Sequence, residues 1–181
     1  MTAKNNIEKK QKGVQPVETP EPLKSYFDRL GITAKTVAHR PLFTVEDGAD
    51  IRGHFRGSQT KNLFLKDKKG QLWLVVAEQN TAVDMNWLQK RLLSARLSFG
   101  KPELMEEVLG VTPGSVTPLA LINDDQNRII PVIDRKLAED FDRLNFHPLR
   151  NDMTTEIRSQ DLLKFIDACG HTPVIVDFDK G

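Results

Sequence analysis

The stretch GSQTKNLFLKDKKGQLWLVVA, residues 57–77, decides the fold. It reads as two strands, Asn62 to Leu65 and Leu72 to Ala77, joined by a turn at Asp67-Lys68-Lys69-Gly70. The second strand is an almost continuous apolar run, which predicts burial on both faces. A polar, flexible Gly57-Ser58-Gln59-Thr60 leads into the first strand and places Lys61 and Asn62 where it begins.

Working outward, Thr19-Pro20 predicts a helix start, Leu23, Phe27 and Leu30 recur at helical spacing, and Gly31 closes the helix. Lys35 to His39 reads as a strand. Thr44 is expected to cap a short helix over Val45 to Ile51. Downstream, Asp84 caps a helix carrying Met85, Leu88 and Leu92, and Pro102 opens another that Gly110 ends. Val116 to Ile122 and Arg128 to Ile133 read as a second strand pair, with Pro131 requiring an edge position or a bulge. A short helix at Arg135 to Asp140 and strands near Phe146 and at Thr154 to Ile157 follow. Ser159 is expected to cap a helix that buries Leu162, Phe165, Ile166 and Cys169, and Val174 to Phe178 is a last strand. Strands joined by short turns and mixed with helices predict an α+β domain with a mixed, mostly antiparallel sheet.

The chain has 181 residues, enough for one domain with a sizeable core. Residues 1 to 18 read as a polar, solvated arm bearing Lys4, Lys9, Lys10 and Lys12, and residues 19 to 181 as the folded domain. No apolar run reaches the ~20 residues of a membrane span, and the N-terminus has no apolar signal region. With a single cysteine, Cys169, these features point to the cytoplasm. A formal net charge of +1 argues against a general DNA binder, which is normally more basic. It leaves room for local contact with an RNA end.

Phosphate loops, Gly-rich dinucleotide turns, nucleophile elbows and metal-ligand spacings are all absent. His39, His54, His147 and His171 lie far apart, so spacing lends little support to a metal site, which would have to be assembled across the fold, and no cofactor is expected. Cys169 lies on the apolar side of its helix and reads as a core residue. Three segments remain. Lys61 and Asn62 at a strand mouth could hold an anionic or carbonyl oxygen. The loop Gly110-Val111-Thr112-Pro113-Gly114-Ser115-Val116-Thr117-Pro118 could present backbone amides to an oxyanion. His147, fixed in direction by Pro148, suits proton transfer or hydrogen bonding. By spacing alone each has an ordinary explanation: a solvated strand-end lysine, a helix-to-strand connection, a structural histidine.

Together, Thr60-Lys61-Asn62-Leu63-Phe64-Leu65-Lys66, Gly114-Ser115-Val116-Thr117-Pro118 and Asn145-Phe146-His147-Pro148-Leu149 with Asn151 and Thr154-Thr155 resemble the YbaK/ProX family. These are free-standing relatives of the editing domain of bacterial prolyl-tRNA synthetases. His39 with Thr44 and Glu46, and Leu97-Ser98-Phe99-Gly100, add to the likeness, which runs from about Leu23 to Phe178. The resemblance implies a single compact domain around a barrel-like mixed sheet surrounded by helices. It also implies trans-editing hydrolysis of mischarged Ala-tRNA(Pro), with the sibling Cys-tRNA(Pro) deacylase or a non-catalytic tRNA- or synthetase-binding accessory domain as alternatives. Lys61, Asn62 and Gly114 would carry the chemistry. Ser115, Val116, Thr117, Pro118, His147, Thr44 and Phe64 would bind substrate, with Leu119 a further candidate wall. Lys61 would anchor substrate oxygens and offset charge, loop amides would stabilise the oxyanion, and water would attack. The implied partners are the tRNA(Pro) acceptor end and prolyl-tRNA synthetase, with no membrane and no specific DNA.

Overall fold

β-Strands Ser58–Asp67 (β3) and Leu72–Glu78 (β4) form an antiparallel hairpin in which Asn62 pairs with Val76 and Leu65 with Trp73. The Asp67 carboxylate accepts from the Lys69 and Gln71 amides, and Gly70, with φ 91°, supplies the left-handed step. In this computed structural model, residues 13–44 and 46–181 are described, so the first twelve residues of the expected polar arm and Val45 lie outside the described residues. β3 begins four residues before the expected Asn62, so Lys61 sits within the strand rather than at its mouth. The early start has a cause. The Asn145 side chain donates to the Arg56 and Ser58 carbonyls, and Thr60 Oγ1 donates to the Asn145 carbonyl, which fastens the polar lead-in to a neighbouring strand.

That neighbour is Arg143–Phe146 (β7), parallel to β3. The other strands are Gln15–Val17 (β1), Lys35–Ala38 (β2), Leu97–Phe99 (β5), Ile129–Asp134 (β6), Met153–Arg158 (β8) and Val174–Val176 (β9). Among the described residues the sheet order is β1-β2-β8-β7-β3-β4-β6-β9, with β5 added to β3. Five of the pairings are antiparallel and three parallel, a mixed and mostly antiparallel sheet as expected. β1 uses residues 15–17, so the sheet extends into the end of the stretch read as a polar arm.

β4 is buried on both faces. Leu72, Leu74 and Val76 pack with Phe64, the helices Leu23–Leu30 (α1), Pro102–Leu109 (α3) and Ser159–Ala168 (α5), and the segment around Leu119–Leu121. Trp73 and Val75 pack on the opposite face with Leu65, Leu97, Val132, Phe178 and Leu88 of the helix Met85–Arg91 (α2). The period-two alternation of a strand therefore feeds two cores. A short helix, Arg135–Glu139 (α4), follows β6 and buries Leu137.

Several expectations are corrected. Residues 116–122 form no strand. Thr117 Oγ1 accepts from the Leu119 amide and Pro118 occupies the first position of a 3-10 helix, Pro118–Asn123, whose Leu119, Ala120 and Leu121 are buried. β6 instead lies inside the sheet, between β4 and β9. Pro131 is tolerated there because β9 pairs only from Val132 onward, leaving that flank of Pro131 without a ladder. Thr19 does not cap α1, since its hydroxyl is engaged with Thr36 at 2.7 Å and the helix begins at Leu23. Ser159 is the first helical residue of α5, not its cap. The stretch after Thr44 breaks into two 3-10 turns, Glu46–Gly48 and Arg52–His54. The last strand ends at Val176, where Asp177 caps a 3-10 turn. The expected cap at Asp84 is present and accepts from the Asn86 and Trp87 amides.

Candidate active site

β3 and β4 leave the sheet together at the end where Thr60 pairs with Glu78, and the turn after Glu78 is anchored from below. Asp134, at the end of β6, is fully buried. Its carboxylate accepts from the Glu78 amide at 3.1 Å, the Thr81 hydroxyl at 2.7 Å and the Lys136 amide at 3.1 Å. Lys61 Nζ in turn donates to the Thr81 carbonyl. The lysine is thus held by a turn that a buried carboxylate fixes, instead of waving in solvent as a strand-end lysine would.

The second segment is a turn. The Ser115 amide donates to the Thr112 carbonyl at 3.0 Å across Pro113 and Gly114, and Gly114 has φ 89°. Proline followed by a left-handed glycine is the pattern of a type II turn. A Cβ at Gly114 would stand 3.4 Å from Phe43 Cδ1 and 3.7 Å from Asn151 Nδ2. Asn151 ties this corner together, since Nδ2 donates to the Leu42 carbonyl at 3.0 Å and its own carbonyl accepts from the Leu42 amide at 2.9 Å.

The third segment brings His147 between β7 and β8. Nδ1 donates to the Met153 carbonyl at 2.9 Å, which leaves Nε2 as the acceptor nitrogen. Burial pushes the His147 pKa below its ordinary value, and nearby His39 pushes it the same way. The Met153 hydrogen bond and Asp152 oppose them only in part. The imidazole is therefore neutral at neutral pH. His39, 6.4 Å away ring to ring, donates through Nδ1 to the Arg40 carbonyl and shares a hydrogen bond between Nε2 and Thr154 Oγ1 at 2.8 Å.

These segments meet at one cavity of about 290 Å³, at the small end of ligand clefts. Lys61, Asn62, Thr44, Gly114, Val116 and His147 all line it. Ser115, Thr117, Pro118 and Phe64 do not. Thr117 is buried as the cap of the 3-10 helix, Pro118 and Ser115 are buried beside it, and Phe64 packs in the core against Gly100. Leu119 is likewise a core residue, not a wall.

Leu42, Phe43, Gly48, Ile51, Phe55, Arg52, Gln59, Thr60, Gln79 and Thr154 complete the lining. Gln59, Thr60 and Thr154 lie inside the segments singled out by sequence. The others carry no local signal, because they arrive from loops whose approach depends on the whole sheet. Phe43 is 69% exposed. No Asp or Glu is among the described residues lining the cavity, whereas Lys61 and Arg52 are. Two buried oxygens of its lining side chains, Asn62 Oδ1 and Gln79 Oε1, have no hydrogen-bond partner. Among the described residues no group of three or more His, Cys, Asp or Glu side chains is placed to hold a metal ion. No helix of the described residues is long and apolar enough to cross a membrane.

Residues 39–165, the stretch from which this cavity is lined, match the family model for the aminoacyl-tRNA editing domain. The chain belongs to that family. Among its relatives is prolyl-tRNA synthetase associated domain-containing protein 1 of Danio rerio, 37% identical over 92% of this chain and 91% of its own length. Another is the prolyl-tRNA editing protein ProX of Acetoanaerobium sticklandii, 33% identical over 81% of this chain and 89% of its own. A crystal structure provisionally assigned as a trans-editing enzyme for prolyl tRNA synthetase shares the editing-domain fold with a TM-score of 0.63. It covers 86% of this chain and 92% of its own at 16% identity.

Proposed function

We propose that this editing domain acts in trans as an aminoacyl-tRNA deacylase, hydrolysing the ester of alanine mischarged onto tRNA(Pro). The observation that carries the reading is the convergence of Lys61, Asn62, Gly114, Val116, Thr44 and His147 on one small cavity without a carboxylate. The name of the bacterial relative, a prolyl-tRNA editing protein, supports the same substrate class.

The aminoacyl ester is already activated, so catalysis needs positioning and charge stabilisation more than a strong nucleophile. Lys61, held by the Thr81 carbonyl, anchors substrate oxygens and offsets the negative charge that develops as water adds to the ester carbon. The Thr112–Ser115 turn brings backbone up to the same cavity; Pro113 has no N–H and the Ser115 amide is spent on the Thr112 carbonyl, so the Gly114 amide is the turn donor that stabilises the tetrahedral oxyanion. His147 is neutral and presents Nε2 as an acceptor, which suits it to orient the amino acid or the attacking water. Leu42, Phe43, Ile51, Phe55 and Val116 supply apolar walls, and the small volume excludes a larger side chain by contact. The partners are the tRNA(Pro) acceptor end and prolyl-tRNA synthetase, and the setting is the cytoplasm.

The test is release of amino acid from purified tRNA(Pro) charged with alanine, cysteine or proline. Hydrolysis of the alanyl ester with the prolyl ester spared is the expected result. Faster cysteinyl hydrolysis would reassign the substrate, and inertness toward all three would overturn the enzymatic reading.

A further inference from the structure

Single exposed apolar residues are ordinary on a protein surface. Phe43 is not placed like one. Among the described residues, the large apolar side chains left exposed are Val17, Phe43, Leu93, Phe99, Val174 and Ile175, and of these Phe43 alone lines the cavity of Lys61 and His147. It is 69% exposed, whereas its neighbour Leu42, which lines the same cavity, is buried. The exposure does not come from a loose loop. The Leu42 amide donates to the Asn151 carbonyl at 2.9 Å, and Asn151 Nδ2 donates to the Leu42 carbonyl at 3.0 Å. Asp47 Oδ2 accepts from the Phe43 amide at 2.8 Å and from the Thr44 amide at 3.0 Å, and Thr44 Oγ1 accepts from the Asp47 amide at 3.2 Å. Arg40 closes the loop from outside, donating to the Asp47 carbonyl and to the Asp50 carboxylate. The backbone is therefore clamped on both sides of Phe43, and the ring is held out into solvent at the cavity rim.

One edge of the ring is accounted for. A Cβ at Gly114 would stand 3.4 Å from Phe43 Cδ1 and 3.7 Å from its Cα, so that edge meets the glycine turn and closes the apolar wall. The rest of the ring faces outward. A cavity of about 290 Å³ is small for an amino acid and a nucleoside together. With the amino acid and its ester inside, the nucleoside that carries them lies at the mouth, beside Phe43. An unpaired base brings a flat π-surface, and stacking on an exposed aromatic ring is a general way for proteins to hold one. We infer that Phe43 stacks on the terminal adenine of the aminoacylated RNA, a specificity-determining contact that recognises the base and sets the ester against Lys61. The inference rests on the proposed deacylase reading and extends it from the amino acid to the nucleoside. Every base has a π-face, so the contact selects for the presence of a base more than for its identity.

The test uses the full chain and two acceptor-stem RNA hairpins whose last ribose carries alanine through an amide at a 3′-amino group, so that no ester is present to be cleaved. One hairpin ends in adenine and the other in an abasic ribose. Dissociation constants are measured for wild type, Phe43→Leu and Phe43→Tyr, and matching unfolding midpoints verify that all three are folded. Wild type binds the adenine-ended hairpin about 5- to 150-fold tighter than the abasic one, the range of a base–aromatic stack. Phe43→Leu, which keeps an apolar side chain without a ring, loses most of that ratio. Phe43→Tyr, which keeps the ring, retains it.

Equal binding of the two hairpins by wild type would overturn the inference, as would an adenine preference that survives in Phe43→Leu. Weakening of both hairpins by the same factor in Phe43→Leu would assign the ring to the amino acid or the RNA backbone and overturn it too. A Phe43-dependent adenine preference in a protein that hydrolyses no aminoacyl-tRNA would leave base stacking standing and remove the deacylase reading. Hydrolysis without the preference would do the reverse.

Discussion

Replacing Asp134 with alanine removes the carboxylate on which the active-site hairpin rests. Three donors lose their acceptor: the Glu78 amide, the Thr81 hydroxyl and the Lys136 amide. The last of these is the N-cap bond of α4, worth about 1 kcal/mol. Thr81 is 4% exposed, so water cannot readily replace what its hydroxyl and the nearby Glu78 amide lose. Stranding buried donors costs about 1–3 kcal/mol. The variant recovers part of this by no longer burying a carboxylate. The sum is about 3 kcal/mol of lost stability, taking about 1 for the cap and about 2 for the stranded pair. For a chain of this size that lowers Tm by about 6–12 °C. Urea unfolding measures it directly, with the midpoint shifted and the slope unchanged. At a temperature where the variant remains folded, deacylation falls as well, because the Thr81 carbonyl no longer holds Lys61 in place. A Tm within about 2 °C of wild type, below the roughly 1 kcal/mol expected of the cap alone, would refute the claim that Asp134 fixes this turn.

Three further outcomes follow from other parts of the molecule. His147 has a folded pKa below the ordinary 6.5, so in the window between the two values the unfolded chain holds more protons. Stability therefore declines as pH falls through about 6.5 toward the folded value, and His147→Gln flattens that part of a pH series of unfolding midpoints. The Cys169 thiol is pushed up to about 11 by burial, with Arg29 opposing only weakly, so it labels slowly with an aromatic disulfide at pH 8 until denaturant is added. Gly57→Ala places a Cβ 1.9 Å from the Arg143 carbonyl oxygen at a residue with φ 69°, and the β3–β7 junction has to open. It costs at least about 2 kcal/mol in chemical denaturation, as a backbone clash added to left-handed strain.

The hairpin was legible in the sequence for a physical reason. A run as apolar as Leu72 to Ala77, opened by an Asp-Lys-Lys-Gly turn, has few folded environments other than a strand buried on two sides. The same logic misread Val116 to Ile122. A short apolar run fits a buried 3-10 helix as well as a strand, and here Thr117 as cap and Pro118 at the first helical position decide it. Thr19 and Ser159 looked like caps by type, but hydroxyls are also used across strands, as the Thr19–Thr36 and Thr36–Thr155 contacts show. In the cavity, Lys61, Asn62, Gly114 and His147 were legible only as a joint pattern. Phe43 and Gln79 were not legible at all, since a loop phenylalanine and a glutamine after a strand acquire meaning only when the sheet brings them to the same place. Phe64 was misplaced for a related reason. It alternates along β3 toward the large core, where its ring fills the space left by Gly100.

The most direct test of the account is single-turnover hydrolysis of Ala-tRNA(Pro) by wild type and by Lys61→Ala, with circular dichroism confirming that both are folded. Loss of a charge-stabilising group at a developing oxyanion is expected to slow the reaction by about a hundredfold or more. A Lys61→Ala protein that hydrolyses the ester at the wild-type rate would contradict the assignment of this cavity as the place where the ester is cleaved.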